Sequence, residues 1–314
     1  MASRARALIL AGVFLGLGLV PVVAALTNQP FYLDLFRRIM IFAIAAVSLD
    51  LILGYGGMVS FGHAAYLGLG AYAVAIPAFY GIENGLVQWT LALALSGLVA
   101  LVIGAVSLRT TGVSFIMITL AFAQMLYYLG ISINAWGADD GMRLARRSQF
   151  GPVVDLSNAY VFYYVVLGLL LALLGLGHRL IHARFGMVIR ASRSNEPRMQ
   201  AIGFSTFRYK LAAFGLAGAV CGLAGALLTN QTEYLTPSYM HWTRSGDIMV
   251  MVILGGMGTL VGPVLGAVAF LLLEDFLSAW TVHWQIVLGP LLVLVVLYAR
   301  RGLYGLLPGG DRHG

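Results

Sequence analysis

Apolar residues run almost without interruption for about 20 positions at a time, the length an α-helix needs to cross roughly 30 Å of hydrocarbon. Such runs lie at 7–26, 39–58, 60–80, 90–108, 112–132, 160–177, 210–228, 248–273 and 284–299. The pattern predicts an all-α polytopic membrane protein of about eight to ten transmembrane helices, a single membrane domain over 1–314. The first 26 residues also fit a secretory signal, with Arg4 and Arg6 before the apolar stretch and Ala24-Ala25 near its end. The many spans that follow favour an uncleaved first helix.

Two runs are interrupted where a helix would be expected to continue. Residues 39–80 are nearly continuous in apolar character, yet Gly54, Gly56, Gly57 and Gly62 fall in their middle. Residues 248–273 carry Gly255, Gly256, Gly258, Gly262 and Pro263, and a proline there removes a donor and clashes with the preceding turn. Each reads as a Gly-rich broken or re-entrant segment. The two also resemble each other, "GGMVSF" at 56–61 against "GGMGTL" at 255–260. The match is either coincidence or the trace of a two-half repeat.

Composition agrees with the pattern: 60% of residues are hydrophobic, 10% are charged, and the mean hydropathy is +0.90. The net charge of +7 would suit nucleic acid in a soluble protein, but here its location decides its meaning. Seven basic residues lie between 178 and 210 against one acid, Glu196, so this segment is expected to be cytoplasmic and nucleic acid is not the partner. With the N-terminus inside, Arg109 also emerges on the cytoplasmic side. The 133–158 loop then faces outward, where Arg143, Arg146 and Arg147 are balanced by Asp139, Asp140 and Asp155. Nine simple crossings would leave Arg300, Arg301 and Arg312 outside, against the same rule. If 248–273 enters and leaves from one face, eight full spans and a cytoplasmic tail result.

Irregular backbone inside hydrocarbon is tolerated only where it is buried in protein or lines a watery cavity. Two breaks in corresponding halves therefore point to a pathway. Their free N–H groups suit a carboxylate and their free carbonyls a cation, a combination fitting a zwitterion such as an amino acid. The candidate pathway residues are Asp50, Gly56, Gly57, Ser60, His63, Tyr66, Gly255, Gly256 and Thr259. An ionised Asp at mid-span costs about 2.5–3.5 kcal/mol, so Asp50 should face a cavity or a partner. Close helix packing through small residues such as Gly68, Gly70 and Ala71 is the other reading of the glycines.

In the basic segment, Asn195 is placed to cap a short helix, Pro197 falls in its first turn, and Gly203 ends it after about two turns. Met199 and Ile202 share one side, as in a small plug for a groove of a partner. A solvated basic loop beside acidic lipid is the alternative. Lys210 is the only lysine and no GxxxxGK[ST] surrounds it, so ATP cannot be bound here by a P-loop. His178 and His182 could share a metal but have no third ligand nearby, and Cys221 reads as packing. No catalytic constellation can be assembled, so an enzyme is not expected.

The order "LGYGGMVSFGHAAYLGLGAY", "RASRSNEPRMQAIGFSTFRYKLAAFGLAGAVCGLAGAL" and "MVILGGMGTLVGPVLGA" resembles the permease subunits of branched-chain amino-acid ABC importers, in particular the LivM type. The resemblance implies inward transport across the bacterial cytoplasmic (inner) membrane. It also implies assembly with two cytoplasmic ABC ATPases, a second LivH-type permease and an extracytoplasmic substrate-binding protein, and no cofactor or metal on this chain. It makes 178–209 the coupling loop, with Arg193, Asn195, Glu196, Met199, Ile202 and Gly203 facing an ATPase. Asp50 stands where an Asn is common, and Pro197 is unusual. Relatives with these motifs carry urea or short amides, so such solutes remain an alternative, as does a stand-alone secondary transporter or channel.

Overall fold

The computed structural model describes residues 2–151, 155–281, 283, 285–290, 293 and 302–306, with side chains from residue 11 to residue 305. Among the described residues the chain is all-α, with one two-residue strand pair. α1 (Ala2–Thr27) is followed by α2 (Pro30–Asp50), which runs into a π-helical turn, Leu51–Tyr55. Then come α3 (His63–Phe79), α4 (Gly85–Ser107), α5 (Val113–Ser132) and α6 (Ala159–His182). The basic segment folds as α7 (Arg184–Ser194) and α8 (Glu196–Ala201). α9 (Thr206–Thr232), α10 (Trp242–Gly255), α11 (Gly262–Trp280) and α12 (Gly302–Leu306) complete the described elements.

Local chemistry sets several of these boundaries. Pro30 opens α2 where its missing N–H costs nothing. Asn84 and Asn158 cap α4 and α6, each side-chain oxygen accepting from two backbone N–H groups of the first turn. α9 is the most buried of the long apolar helices, and its small residues allow that. A Cβ on Gly225 would collide with the Leu67 carbonyl of α3, and one on Gly70 with the Gly222 carbonyl of α9. Backbone therefore lies on backbone where α3 crosses α9, the close approach expected of small residues between membrane helices.

The bundle has two distinguishable ends. At one, β1 (Met142–Arg143) pairs antiparallel with β2 (Tyr234–Leu235), Arg147 meets Glu233 at 2.9 Å, and Gln149 donates to Glu83. At the other, the α4–α5 turn, α7, α8 and the first glycine break converge around one cavity. The two ends thus separate the 133–158 loop from Arg109 and the 178–210 segment, as the charge pattern expects.

Several boundaries correct the sequence reading. α2 begins nine residues before the expected 39, with charge taken into its first turns: Arg37 is buried, pairs with Asp34 through Nη2 and stacks over the Phe162 ring at 4.7 Å. The 248–273 run is a helical hairpin. α10 ends at Gly255, the chain turns through 256–261, and α11 returns. At 14 residues α10 reaches only ~21 Å, short of a full crossing. The 178–210 segment is mostly helical rather than a loop with one short helix. Five described helices, α4, α5, α6, α9 and α11, have the length and apolarity to cross a membrane. A count of eight to ten needs the shorter or more polar helices as well. The expected span at 284–299 falls largely outside the described residues, as do Arg300, Arg301 and Arg312, but α12 lies at the α8 end, with Gly302 against the backbone of Gly256.

Candidate functional site

The two breaks meet. Asp50, buried in the last turn of α2, accepts a hydrogen bond from the backbone N–H of Gly258 through Oδ1 at 2.8 Å, linking positions 208 residues apart. Gly54 makes this possible, since a Cβ there would collide with the Asp50 carboxylate and the Gly258 N–H. The second glycine of each matching hexapeptide has positive φ, +69° at Gly57 and +118° at Gly256. Both turns therefore need glycine at the same place in the motif.

Several of the freed backbone groups are satisfied within the chain. Where the π turn ends, Met58 N–H bonds back to the Ile52 carbonyl, and the Gly54 carbonyl is taken by the Arg193 guanidinium of α7. The Arg193 side chain also lies against the Cα of Gly57, where a Cβ would come within 2.9 Å of its Cγ. Thr259 closes its own turn, donating to the Gly256 carbonyl at 2.7 Å. Gly255 sits against the backbone of Gly262 and Gly266, holding α10 and α11 together. One such N–H, of Gly258, and one such carbonyl, of Gly54, are thus engaged by Asp50 and Arg193 in this structure.

Ser60, His63 and Tyr66 form a buried layer above the break. His63 Nε2 shares a hydrogen bond with Ser48 Oγ at 2.8 Å, and the His63 carbonyl accepts from Cys221 Sγ at 3.4 Å. The Tyr66 ring packs edge-on between His63 and Phe214. Gly56 and Gly57 instead line a cavity of about 330 Å³ with Arg193, Glu196 and Lys210, adjoining α8.

α8 is capped as its sequence suggests, Asn195 Oδ1 accepting from Arg198 N–H at 3.0 Å, and Gly203 follows it at φ +90°. Ile202 is largely exposed, while Met199 is half-buried. Glu196 faces inward. Its carboxylate accepts from Lys210 Nζ at 2.6 Å and from Thr206 Oγ1 at 2.9 Å, fastening α8 to α9. Burial works to raise the Glu196 carboxyl, but those hydrogen bonds and the Lys210 charge outweigh it and hold it below the usual glutamate range. Sequence reasoning missed Lys210 and Thr206 as partners, Gly54 as the space Asp50 requires, and Arg193 as the bridge to the break. The single lysine of the chain was the available signal.

His178 and His182 stack at 4.2 Å, with His182 Nδ1 held by the His178 carbonyl. Among the described residues no group of three or more potential ligands stands close enough to hold a metal ion.

Residues 31–296 match the family described as the branched-chain amino acid transport system permease component. Among individual proteins, the chain is 28% identical to the high-affinity branched-chain amino acid transport permease LivM of Salmonella typhimurium, over 86% of this chain and 69% of that one. It is 23% identical to a probable LivM of Methanocaldococcus jannaschii, covering 88% and 94%, and 25% identical to LivH of Escherichia coli, covering 84% and 91%. No solved structure matches. With most of its length matched and its breaks built from the motif glycines, the chain belongs to the branched-chain amino acid transport permease family, as a multi-pass membrane transport protein.

Proposed function

We propose that the chain is one of two related permeases of an ABC importer that carries branched-chain or other hydrophobic amino acids inward across the bacterial cytoplasmic membrane. A LivH-type sister completes the passage, two cytoplasmic ATPases hydrolyse ATP, and an extracytoplasmic binding protein delivers the solute. Residues 178–209 are the coupling segment within a single permease domain, and the paired glycine breaks are halves of a diverged repeat. With the described helices counted together, eight to ten cross or enter the membrane.

The observation that carries this reading is the Arg193 bridge. α7 and α8 form the basic end, and Arg193 at the end of α7 holds the carbonyl released where α2 breaks. From there Gly54 and Asp50 lead to Gly258 of the α10–α11 turn. A force on α8 therefore reaches both breaks through two hydrogen bonds. In the proposed cycle, ATPase closure moves α8, and the breaks reorganise to alternate access around them. The residues proposed to line that passage are the nine named from the sequence, Asp50 to Thr259, with Asp50 and the glycines nearest the moving turn.

The test is reconstitution. The chain is co-expressed with a LivH-type permease and two ATPases, placed in proteoliposomes, and supplied with binding protein and radiolabelled leucine. ATP-dependent accumulation that is lost without either the ATPases or the sister permease is the expected result. Leucine uptake by the chain alone under a proton gradient, abolished by Asp50→Asn, would overturn the importer reading in favour of a secondary carrier. Uptake of urea with leucine excluded would reassign the substrate class.

A further inference from the structure

A second cavity, distinct from the one at α8, lies where α6 and α9 both pack on α2 without closing the gap between them. Its volume is about 200 Å³. Val47 and Leu51 form the back wall, where α2 passes into the π turn, and Leu173, Leu180, Ala217 and Val220 form the sides. Of the polar residues that line it, two are turned to other partners. Ser48 Oγ donates to the Ala45 carbonyl and shares a hydrogen bond with His63 Nε2. Asp50 gives Oδ1 to the Gly258 N–H, and its other oxygen is sealed from the chamber. The third, Tyr55, ends the π turn. Apart from that phenol, the wall offered to a ligand is hydrocarbon.

Size, depth and charge narrow the ligand. The mouth opens between Leu176 and Leu216, both exposed, on two helices with the length and apolarity to cross a membrane. It therefore faces hydrocarbon. Along α6 the chamber runs from Leu173 to Ile181, about 12 Å at the helical rise, against the ~15 Å of one leaflet's hydrocarbon. At a water's ~30 Å³ share of liquid, such a volume takes roughly six or seven carbons. At the α7 end the chemistry changes. Arg190 is exposed, and its Nη2 donates at 3.1 Å to the carbonyl of Ile181, a residue of the chamber wall. Among the described residues Arg190 makes no ion pair. An apolar chamber of leaflet depth with a guanidinium at its surface end matches an anionic phospholipid, the acyl chain inside and the phosphate on the arginine. A side chain from a neighbouring polypeptide fills only the apolar part and leaves the charge unmet. We propose that this chamber seats one acyl chain of an anionic phospholipid from the leaflet on the α7–α8 side, with Arg190 holding its phosphate. The site is independent of which solute crosses the membrane. A seated chain packs against α2 where its geometry changes.

The test is native mass spectrometry of the purified full chain, titrated with phosphatidylglycerol or with phosphatidylcholine of the same acyl chains. The first phosphatidylglycerol should bind about fivefold more tightly, the worth of one basic residue beside an anionic lipid. Arg190→Gln keeps a donor for the Ile181 carbonyl and removes the charge, and should erase that preference. Ala217→Phe fills the chamber and leaves Arg190 in place, and should abolish tight binding of both lipids. Leu98→Phe, on the exposed face of α4, should change neither. If Ala217→Phe does not fold, the wild-type chain still decides the matter. Phosphatidylglycerol carrying a diazirine in mid-chain is photolysed in membranes that hold the protein, and peptides covering 173–181 and 216–220 should be labelled well above the other apolar helices. Equal affinity for the two lipids, a preference that survives Arg190→Gln, or label spread evenly over the exposed helices would overturn the assignment. So would p-benzoylphenylalanine in place of Leu216 that crosslinks to a polypeptide rather than to lipid, since a protein partner would then cover the mouth.

Discussion

Alanine at Gly225 should destabilise the protein, although the same change at Gly168 should stabilise it. Both positions are helix-interior glycines, and replacing glycine by alanine there gains about 0.5–1 kcal/mol of backbone entropy. At Gly168 of α6 a Cβ meets nothing within 4 Å. At Gly225 of α9 it would press into the Leu67 carbonyl, 2.7 Å from that residue's carbonyl carbon and 3.1 Å from Ala71 N. Those neighbours are backbone of α3 and cannot rotate away, so overpacking of about 1–3 kcal/mol applies and outweighs the entropy gain. The net loss spans about 0–2.5 kcal/mol and centres slightly above 1 kcal/mol. Cys221 is the only cysteine and is fully buried, which makes a thiol-reactive fluorogenic dye a reporter of unfolding without any added label. The expected order of midpoints in detergent is Gly168→Ala at or above wild type, then Gly225→Ala clearly below. Because Cys221 lies one turn from Gly225, the order is checked by the monodisperse peak surviving a heat step in gel filtration. A Gly225→Ala protein as stable as wild type by both readouts would mean that α3 and α9 do not meet backbone to backbone.

Arg193→Ala removes the donor to the Gly54 carbonyl; basal ATP hydrolysis by the assembled transporter should continue while leucine accumulation per ATP falls severalfold, and unchanged coupling would refute the bridge as the route. Asn195→Ala should fray α8, at a local cost of about 0.5–2 kcal/mol, seen as faster amide exchange over 196–203 with no change elsewhere. The Glu196 carboxyl is held below its ordinary value near 4.3, so the fastening of α8 to α9 is fully present above that range and is lost as pH falls through the lowered folded value. Amide exchange of α8, corrected for its intrinsic pH dependence, should therefore rise at acid pH in wild type. In Glu196→Gln it should be raised already at pH 7 and nearly flat, and identical profiles would remove Glu196 from that role.

Much of this architecture is legible in the sequence because membrane helices announce themselves by length. The breaks at 54–62 and 255–262 were visible as glycines in apolar surroundings, and the α8 cap as Asn195 with Gly203. What the pattern hid was charge that folding pays to bury or pair. Asp34 and Arg37 concealed the first turns of α2, and Arg244 with Asp247, an i,i+3 pair at 3.3 Å, concealed the start of α10. α7 was missed because arginines and serines mask an inner face of Val188 and Ile189. The Asp50–Gly258 and Arg193–Gly54 bonds join residues 208 and 139 positions apart, and nothing local in a single sequence specifies such a pairing.

The π turn at Leu51–Tyr55 carries more residues per turn than the α-helix leading into it, so α2 holds a spare residue in its length. Drawing that residue into α geometry would rotate Asp50 by about 100° relative to the chain beyond it, with both helix ends still anchored by their loops. A passage gated in this way needs no piston-like travel. It needs a pull on one carbonyl large enough to move a hydrogen bond by a single position, and the guanidinium of Arg193 already grips Gly54 inside that turn. A one-residue deletion within 51–55 would remove the spare residue, so Asp50 should keep its present orientation and the protein should fold but be unable to make that rotation.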